Sequence, residues 1–264
     1  MKTENRRCIT SVGPTVSALL DAPYEAETDA PNEALTALAE SKAGGKPDRA
    51  VIFNPDAVAL WLYEKYRGKF REAEAASDLA LPLRSVMPSV TPVCFASMYT
   101  GVQPEIHGIM KYEKPVLERE TLFDAIIRAG KKCAIVSTAG DSISKIFLER
   151  DMDYYIYPTI GAVNRKALSL IKQNRYDLLV IYNGNFDSRM HAKGPESAYA
   201  QRALEANLAF YRKMTDAIKK YASGQHVFYG FCPDHGCHDI DGGRGSHGLD
   251  MEEDMNVIHF YGVT

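Results

Sequence analysis

The sequence has little net charge, no long hydrophobic run and no regular cysteine pattern. Its formal net charge is -3 over 264 residues, so charge indicates neither a nucleic acid nor an anionic membrane as a partner. Residues 1–7 lead into only a short apolar stretch that contains Pro14, which predicts neither a signal peptide nor a membrane-spanning helix. The expected location is therefore the cytoplasm.

The five cysteines are an odd number at irregular spacing, so no disulfide framework is predicted and most are expected to be free thiols. Internal repeats and low-complexity tracts are absent from the sequence. The composition, with 45% hydrophobic and 25% charged residues, is typical of a globular protein and not of a disordered chain.

Short apolar runs alternate with helical patterns from residue 50 onward. The runs are apolar throughout, as expected of strands buried on both faces. They cover residues 50–53, 133–136, 177–182 and 226–231. Helical spacing of apolar residues follows at 122–129, before Gly130, and at 204–218, before Gly224, while residues 26–49 predict a short helix and a flexible connector. The alternation predicts an α/β fold with a largely parallel sheet covered by helices.

In such sheets the ligand site lies beyond the carboxyl ends of the strands. Asp187 and His191 follow one apolar run and are four residues apart, so on a helix they share a face and can chelate a metal, although this spacing is also common on solvated helices. Asp234 and His235 follow another run, before Gly236, which permits the sharp turn that two ligands of one metal need; the alternative is an exposed loop turn.

Thr91 and Pro92 predict the start of a helix, because Thr is favoured as an N-cap and Pro at the first helical position. The helix body would cover residues 93–99. Its free amides would face a phosphate held beside the Thr91 hydroxyl. The alternative is that Thr91 only caps the helix.

Taken in order, these motifs resemble those of the alkaline phosphatase superfamily, particularly its type I phosphodiesterase/nucleotide pyrophosphatase branch. Residues 88–92, through Thr-Gly at 100–101 to His-Gly-Ile at 107–109, are similar to the nucleophile segment of that branch, with Thr91 at the nucleophile position. Asp-x-x-x-His at 187–191, Asp-His-Gly at 234–236 and His-Gly at 247–248 are similar to its metal motifs. Thr91 argues against the sulfatase branch, which needs Cys or Ser at that position.

The resemblance implies a three-layer sandwich with a mostly parallel central sheet and two divalent metal ions. The implied ligands of one ion are Asp187, His191 and His247, and those of the other are Asp56, Thr91, Asp234 and His235. Zinc suits this mixture of His and carboxylate ligands, and manganese or iron are alternatives. Thr91 would attack phosphorus and form a phosphothreonine that water then hydrolyses.

The sequence departs from the family pattern at two places. Asp56 is followed by Ala57, where the family usually has Gly. Tyr112 stands where the phosphodiesterase branch has a phosphate-holding Asn, with Lys111 beside it. Lys111 and Tyr112 are therefore the predicted substrate contacts, and solvated loop side chains are the alternative.

Other polar residues have structural interpretations. Cys94 is expected to be a buried small hydrophobe. A separate metal site near Cys232, Cys237 and His238 fits no usual zinc module, so Cys232 is expected in the strand core. His107, His226 and His259 are predicted to be structural.

Residues 9–20 resemble the element that closes many superfamily members after the last metal histidine. We therefore predict one catalytic domain over residues 1–264 that is circularly permuted, with residues 1–49 as the permuted C-terminal element plus a linker.

The predicted function is metal-dependent hydrolysis of small phosphate esters, with a diester or a pyrophosphate preferred. A phosphomonoesterase or a phosphonate hydrolase with the same site is the alternative. A non-catalytic metal-binding relative is the alternative of another class. It is disfavoured because all seven implied ligand positions carry chemically competent residues.

Overall fold

The computed structural model describes residues 7–264. The strands are β1 (Arg49–Pro55), β2 (Leu79–Arg84), β3 (Cys133–Thr138), β4 (Asp153–Tyr157), β5 (Leu178–Asn183), β6 (Val227–Phe231), β7 (His238–Ile240), β8 (Arg244–Ser246) and β9 (Asn256–Val263). The α-helices are α1 (Val12–Leu19), α2 (Glu33–Ala43), α3 (Leu60–Lys65), α4 (Arg67–Ala76), α5 (Thr91–Thr100), α6 (Pro104–His107), α7 (Leu122–Arg128), α8 (Ile143–Ile146), α9 (Ile160–Gln173), α10 (Asn185–Lys193), α11 (Ala198–Tyr221) and α12 (Glu252–Met255).

Within the described residues, seven strands form one sheet in the order β2-β9-β6-β1-β5-β3-β4. The strands from β6 to β4 in this order pair in parallel, and β9 is antiparallel to both β6 and β2. Strand β1 is central, with Ile52 opposite Val180 of β5 and Gly230 of β6. The small hairpin of β7 and β8 lies outside this sheet. The predicted α/β fold with a mostly parallel sheet is confirmed.

Each face of the sheet is covered by its own apolar core. Neighbouring residues of β1 alternate between the two, since Ile52 packs into the core that contains Phe95 of α5, and Phe53 into the core that contains Phe210 of α11. Alternation toward two apolar layers explains why the central strands are apolar at every position. The predicted three-layer arrangement, with helices on both faces of the sheet, is thereby confirmed.

Most predicted elements are present with shifted ends. The pattern at 122–129 corresponds to α7, the pattern at 204–218 to α11, and the predicted short helix within 26–49 to α2. The sequence patterns did not predict β2, which contains Pro82. An edge strand tolerates proline because one side of its backbone needs no partner in the sheet, and β2 lies at the edge.

The N-terminal segment packs within the same fold. Helix α1 contacts α5 and α7, and the Arg84 amide of β2 donates to the Arg7 carbonyl at 2.8 Å. Residues 1–6, on which the predictions of a permuted element and of no targeting segment partly rest, lie outside the described residues. The circular permutation and the single-domain boundary stay predictions. Across residues 7–264, no helix combines the length and apolar character needed to cross a membrane.

Candidate metal centre and active site

The seven residues predicted as metal ligands meet at one edge of the sheet. This follows from topology, because β1, β5 and β6 are adjacent and parallel, so their carboxyl ends lie together. The seven are Asp56 after β1, Thr91 at the start of α5, Asp187 and His191 in α10 after β5, Asp234 and His235 after β6, and His247 after β8.

Three of these residues, Asp56, Asp234 and His235, form what we call the buried ligand cluster. Their ligand atoms all lie within 4.8 Å of one another. The Nε2 atom of His235 is 3.3 Å from Asp56 Oδ1 and 3.3 Å from Asp234 Oδ2. All three side chains are shielded from solvent.

Asp187, His191 and His247 form the outer ligand cluster. Asp187 Oδ1 lies 3.2 Å from His191 Nε2 and 3.4 Å from His247 Nε2. The side chain of His191 is 43% exposed, so this cluster opens to solvent. The rings of His235 and His247 stack with centroids 3.9 Å apart, which places the two clusters side by side.

Backbone carbonyls orient all three histidine rings. The Nδ1 atoms lie 3.0 Å from the Gly245 carbonyl for His191, 2.9 Å from the Gly236 carbonyl for His235, and 2.9 Å from the Ser89 carbonyl for His247. In the neutral ring, an Nδ1 atom that donates to a carbonyl leaves the Nε2 atom as an unprotonated acceptor, which is the form that binds metals. Each Nε2 atom faces a ligand cluster.

One carboxylate oxygen of each aspartate completes the donor set. Asp56 Oδ1, Asp187 Oδ1 and Asp234 Oδ2 are buried and have no hydrogen-bond partner. Buried carboxylate oxygens are normally hydrogen-bonded or bound to a cation. Three such oxygens beside three imidazole Nε2 atoms form a set of donors that divalent cations can bind, and zinc accepts both ligand types.

The charges of the buried ligand cluster also favour a cation. Burial, together with repulsion from Asp187, raises the pKa of Asp56 to about 7. Burial and repulsion from Asp56 raise the pKa of Asp234 as well. The raised pKa values show that two negative charges are unfavourable in this confined space. A bound divalent cation would remove that electrostatic penalty.

The predicted role of Thr91 as helix N-cap is wrong. The N-cap is Val90, which has no side-chain capping bond, and Thr91 is the first residue of α5. The Thr91 hydroxyl is therefore free of a capping role, and Oγ1 lies 3.4 Å from Asp56 Oδ2 and 3.3 Å from His235 Nε2. This contact with the buried ligand cluster disfavours the alternative that Thr91 only caps a helix.

The turn after β1 explains how Asp56 keeps its place without the glycine that usually follows it. Ala57 adopts φ +65°, in the left-handed region that glycine enters freely. Its amide donates to Asp234 Oδ1 at 3.3 Å. An L-residue in this region carries a strain of roughly 1–2 kcal/mol, so the backbone geometry of the turn is retained although the residue differs.

The two predicted substrate contacts lie in an exposed loop after α6. Lys111 pairs with Glu113 at 3.4 Å, with its side chain 76% exposed. Tyr112 is 61% exposed and lies under the Lys114 ammonium. A contact of either residue with substrate stays a prediction.

Several structural interpretations agree with the structure. Cys94 and Cys232 are buried in the apolar core, and all five cysteines, each within residues 7–264, are free thiols. His238 pairs with Asp254 at 2.7 Å and belongs to neither ligand cluster. His107 accepts the Ile109 amide at 3.2 Å and so fixes its turn, as predicted.

Sequence reasoning missed Tyr182. Its hydroxyl donates to Asp56 Oδ2 from the carboxyl end of β5. Tyr182 lies within the apolar run at residues 177–182, a pattern that predicts only a buried strand. The signal that could have found it is the polar hydroxyl at a strand end that adjoins the site.

Comparison with known proteins gives one family match. Residues 69–125 match the family described as type I phosphodiesterase/nucleotide pyrophosphatase, and this segment contains Thr91. No curated protein sequence matches the chain.

Several solved structures share the fold. Human ectonucleotide pyrophosphatase/phosphodiesterase 5 matches 81% of this chain and 87% of its own, with a TM-score of 0.63 and 11% identity. The murine protein of the same name matches 74% of this chain and 58% of its own, with a TM-score of 0.57 and 13% identity. Phosphonoacetate hydrolase from Sinorhizobium meliloti 1021, in complex with phosphonoformate, matches 75% of this chain and 59% of its own, with a TM-score of 0.52 and 18% identity.

The chain thus spans less than two thirds of the murine and bacterial chains. At these identities the likeness concerns the fold, and the family match covers the segment that contains Thr91. The family match agrees with the prediction of an enzyme. The resemblance to the type I phosphodiesterase/nucleotide pyrophosphatase family, predicted from the motifs, is confirmed by this match over residues 69–125.

Proposed function

We propose that the protein is a two-metal hydrolase of small phosphate esters that uses Thr91 as its nucleophile. The observation that carries this proposal is the position of Thr91 Oγ1, 3.4 Å from Asp56 Oδ2 and 3.3 Å from His235 Nε2. A threonine hydroxyl beside a buried set of metal-ligand atoms, at the start of a helix, is an arrangement suited to attack on phosphorus.

The two ligand clusters would hold the ions. Asp56, Asp234 and His235 would bind one ion together with Thr91, and the outer ligand cluster would bind the other. Bound zinc ions would lower the pKa of the Thr91 hydroxyl and neutralise charge on the phosphoryl oxygens. Manganese or iron would suit the same atoms less well than zinc.

The proposed reaction has two chemical steps, in which Thr91 and then water attack phosphorus. In the first step the Thr91 oxygen forms a bond to phosphorus and loses its proton to solvent, and the bond to the leaving oxygen breaks with its electron pair. In the second step water attacks phosphorus, the bond to Thr91 breaks, and the hydroxyl regains a proton. The result is hydrolysis without any change of oxidation state, through a phosphothreonine.

The orientation of helix α5 would stabilise a phosphate bonded to Thr91. The first amides of a helix have no intrahelical acceptor, and the helix dipole favours an anion at this end. Because Thr91 is the first residue of α5, a phosphate bonded to its oxygen would lie at that N-terminus.

The match of residues 69–125 to the phosphodiesterase/pyrophosphatase family supports a diester or a pyrophosphate as substrate. A phosphonate is the second candidate, supported by the structural likeness to phosphonoacetate hydrolase. Lys111 and Tyr112 stay proposed substrate contacts, because His107, the last residue of α6 before their loop, hydrogen-bonds Ser97 of α5 at 2.8 Å.

The test is a panel of esters under defined metal loading. Zinc-loaded wild type should hydrolyse bis-p-nitrophenyl phosphate faster than p-nitrophenyl phosphate, and phosphonoacetate is included in the same panel. Thr91→Ala should lower kcat by on the order of 10³-fold or more, as expected on removal of a nucleophile. Thr91→Ser, which keeps the hydroxyl, is the matched control and should retain measurable turnover. If wild type were no faster than Thr91→Ala on every ester, the proposal would fail.

Lys111→Ala has a separate expected result. Loss of a charge-assisted hydrogen bond of roughly 1.5–3 kcal/mol should raise KM by about 10- to 100-fold with little change in kcat. Lys145→Ala, a change of the same type in α8, is the control and should leave both constants unchanged.

A further inference from the structure

We propose that Tyr182 is a positioning residue, whose hydroxyl fixes the Asp56 carboxylate so that one oxygen is held and the other faces the buried ligand cluster. This inference rests on the proposed function, because it assigns Tyr182 a role at the same site. It names a residue outside the motifs that carry the family resemblance.

The two oxygens of Asp56 have different surroundings. Asp56 Oδ2 accepts the hydroxyl of Tyr182. Asp56 Oδ1 is buried without a hydrogen-bond partner and lies 3.3 Å from His235 Nε2. The Tyr182 hydroxyl therefore hydrogen-bonds one oxygen of the Asp56 carboxylate and leaves the other oxygen available to a cation.

Packing holds the Tyr182 hydroxyl in place. The Tyr182 ring is buried and meets Phe95 of α5 edge to face, with centroids 5.6 Å apart. Phe95 lies about one helical turn after Thr91. The same ring thus touches the helix that carries the nucleophile and the carboxylate beside that nucleophile.

Gly184 provides the space that the hydroxyl occupies. A Cβ atom at this position would lie 2.6 Å from the Tyr182 hydroxyl oxygen and 3.2 Å from Cζ. The backbone of Gly184 has φ -88°, which any residue adopts. The glycine is therefore required for room beside Tyr182 and not for its conformational freedom.

The chemistry of a phenol suits this role. A tyrosine hydroxyl is a neutral donor near neutral pH, so it orients Asp56 without cancelling the charge that a cation needs. A lysine or arginine in its place would compete with that cation. Thr91 Oγ1 also faces Asp56 Oδ2, but at 3.4 Å, which is too long for a strong hydrogen bond. Since Tyr182 is the stronger donor to this oxygen, the Thr91 hydroxyl stays available for attack.

The experiment measures metal binding without substrate. Apo protein is titrated with Zn²⁺ against a chromophoric chelator, for Asp187→Asn and for Asp187→Asn combined with Tyr182→Phe. The Asp187→Asn change disables the outer ligand cluster, so each titration reports the buried one. Loss of a partner that orients a ligand lowers metal affinity by about 10- to 100-fold, and we expect that loss for the Tyr182→Phe variant.

Two further titrations separate positioning from general stability. Tyr182→Phe in the Asp234→Asn background, where the outer ligand cluster alone binds, should change affinity by less than about twofold, because the hydroxyl donates its hydrogen bond to Asp56 of the buried ligand cluster. Tyr229→Phe is the matched control, since it removes a buried hydroxyl that donates to the Ala76 carbonyl at 2.9 Å. It should lower thermal stability without changing either affinity.

The titrations can contradict the role of Tyr182 in three ways. If the buried ligand cluster binds Zn²⁺ equally with and without the Tyr182 hydroxyl, the inference is wrong while the proposed function stands. If Tyr182→Phe weakens both clusters alike, the residue has only a general structural role and the inference is again wrong. If wild type binds no Zn²⁺ at all, the proposed function and the inference fail together.

Discussion

The Nε2 atoms of His191 and His247 lie 3.1 Å apart, although each ring already faces a backbone carbonyl through its Nδ1 atom. Two ring nitrogens that both carry lone pairs repel each other at this distance unless a proton or a cation lies between them. The backbone thus holds these rings in an arrangement that is favourable for a metal-bound state.

Zinc should therefore stabilise the fold strongly. An ion present at a thousand times its dissociation constant adds about 4 kcal/mol to the free energy of unfolding. For a chain of this length that corresponds to a rise in Tm of roughly 10 °C. Differential scanning calorimetry of apo and zinc-loaded protein checks this.

The control for that measurement is a histidine outside both ligand clusters. His191→Ala should lose much of the zinc-dependent rise in Tm. His226→Ala removes a hydrogen bond to the Thr264 carbonyl and should lower Tm in apo and loaded protein by the same amount. An equal zinc-dependent rise in wild type and His191→Ala would contradict the assignment of this ligand.

Gly184→Ala should destabilise the protein through Tyr182. Because a Cβ atom would approach the hydroxyl oxygen to 2.6 Å, overpacking should lower the free energy of unfolding by about 1–3 kcal/mol. In the Tyr182→Phe background the nearest clashing atom is gone, so the same change should have a smaller effect. Urea unfolding of the four proteins of this double-mutant cycle measures the coupling. Equal effects in the two backgrounds would show that Gly184 is needed for another reason.

The buried imidazole of His259 should make stability depend on pH. Its ring lies between the Pro233 carbonyl, 2.7 Å from Nε2, and the Tyr261 hydroxyl, 2.7 Å from Nδ1. Burial lowers the pKa of His259 to about 3, whereas in the unfolded chain it is about 6.5. The unfolded state therefore binds the proton first as the pH falls, so this contribution is complete above pH 6.5 and is lost between about pH 6.5 and 3.

His259→Gln, whose amide can both donate and accept, isolates that contribution. Between pH 6 and 4 the wild type should lose stability faster than the variant, by up to about 1.4 kcal/mol per pH unit. The metal ligands titrate identically in both proteins and cancel in the difference. Parallel pH profiles in urea unfolding would contradict the role of His259.

The central strands and the strand-end pairs Asp187 with His191 and Asp234 with His235 could be predicted from local patterns, whereas Asp56 and His247 were implied as ligands by the family resemblance. Apolar runs mark the central strands, and the four-residue spacing of Asp187 and His191 places both on one face of α10. The carboxyl ends of parallel strands then bring distant motifs together without any further information.

Features that depend on tertiary packing could not be predicted in this way. Nothing in the local sequence shows that the Tyr182 hydroxyl reaches Asp56, since the two residues are brought together by the pairing of β1 with β5. The left-handed backbone of Ala57 is likewise imposed by its surroundings, because alanine does not favour it. Val90 acts as N-cap against its own propensity, which frees Thr91 for the site.

The stereochemistry of hydrolysis at phosphorus tests the central claim most directly. A diester made chiral at phosphorus with sulfur is hydrolysed by the zinc-loaded enzyme in ¹⁸O-labelled water, and the configuration of the product is determined. Attack by Thr91 followed by attack of water comprises two in-line displacements, each of which inverts phosphorus, so the account predicts net retention. Net inversion would show that water attacks the substrate directly and would contradict Thr91 as the nucleophile.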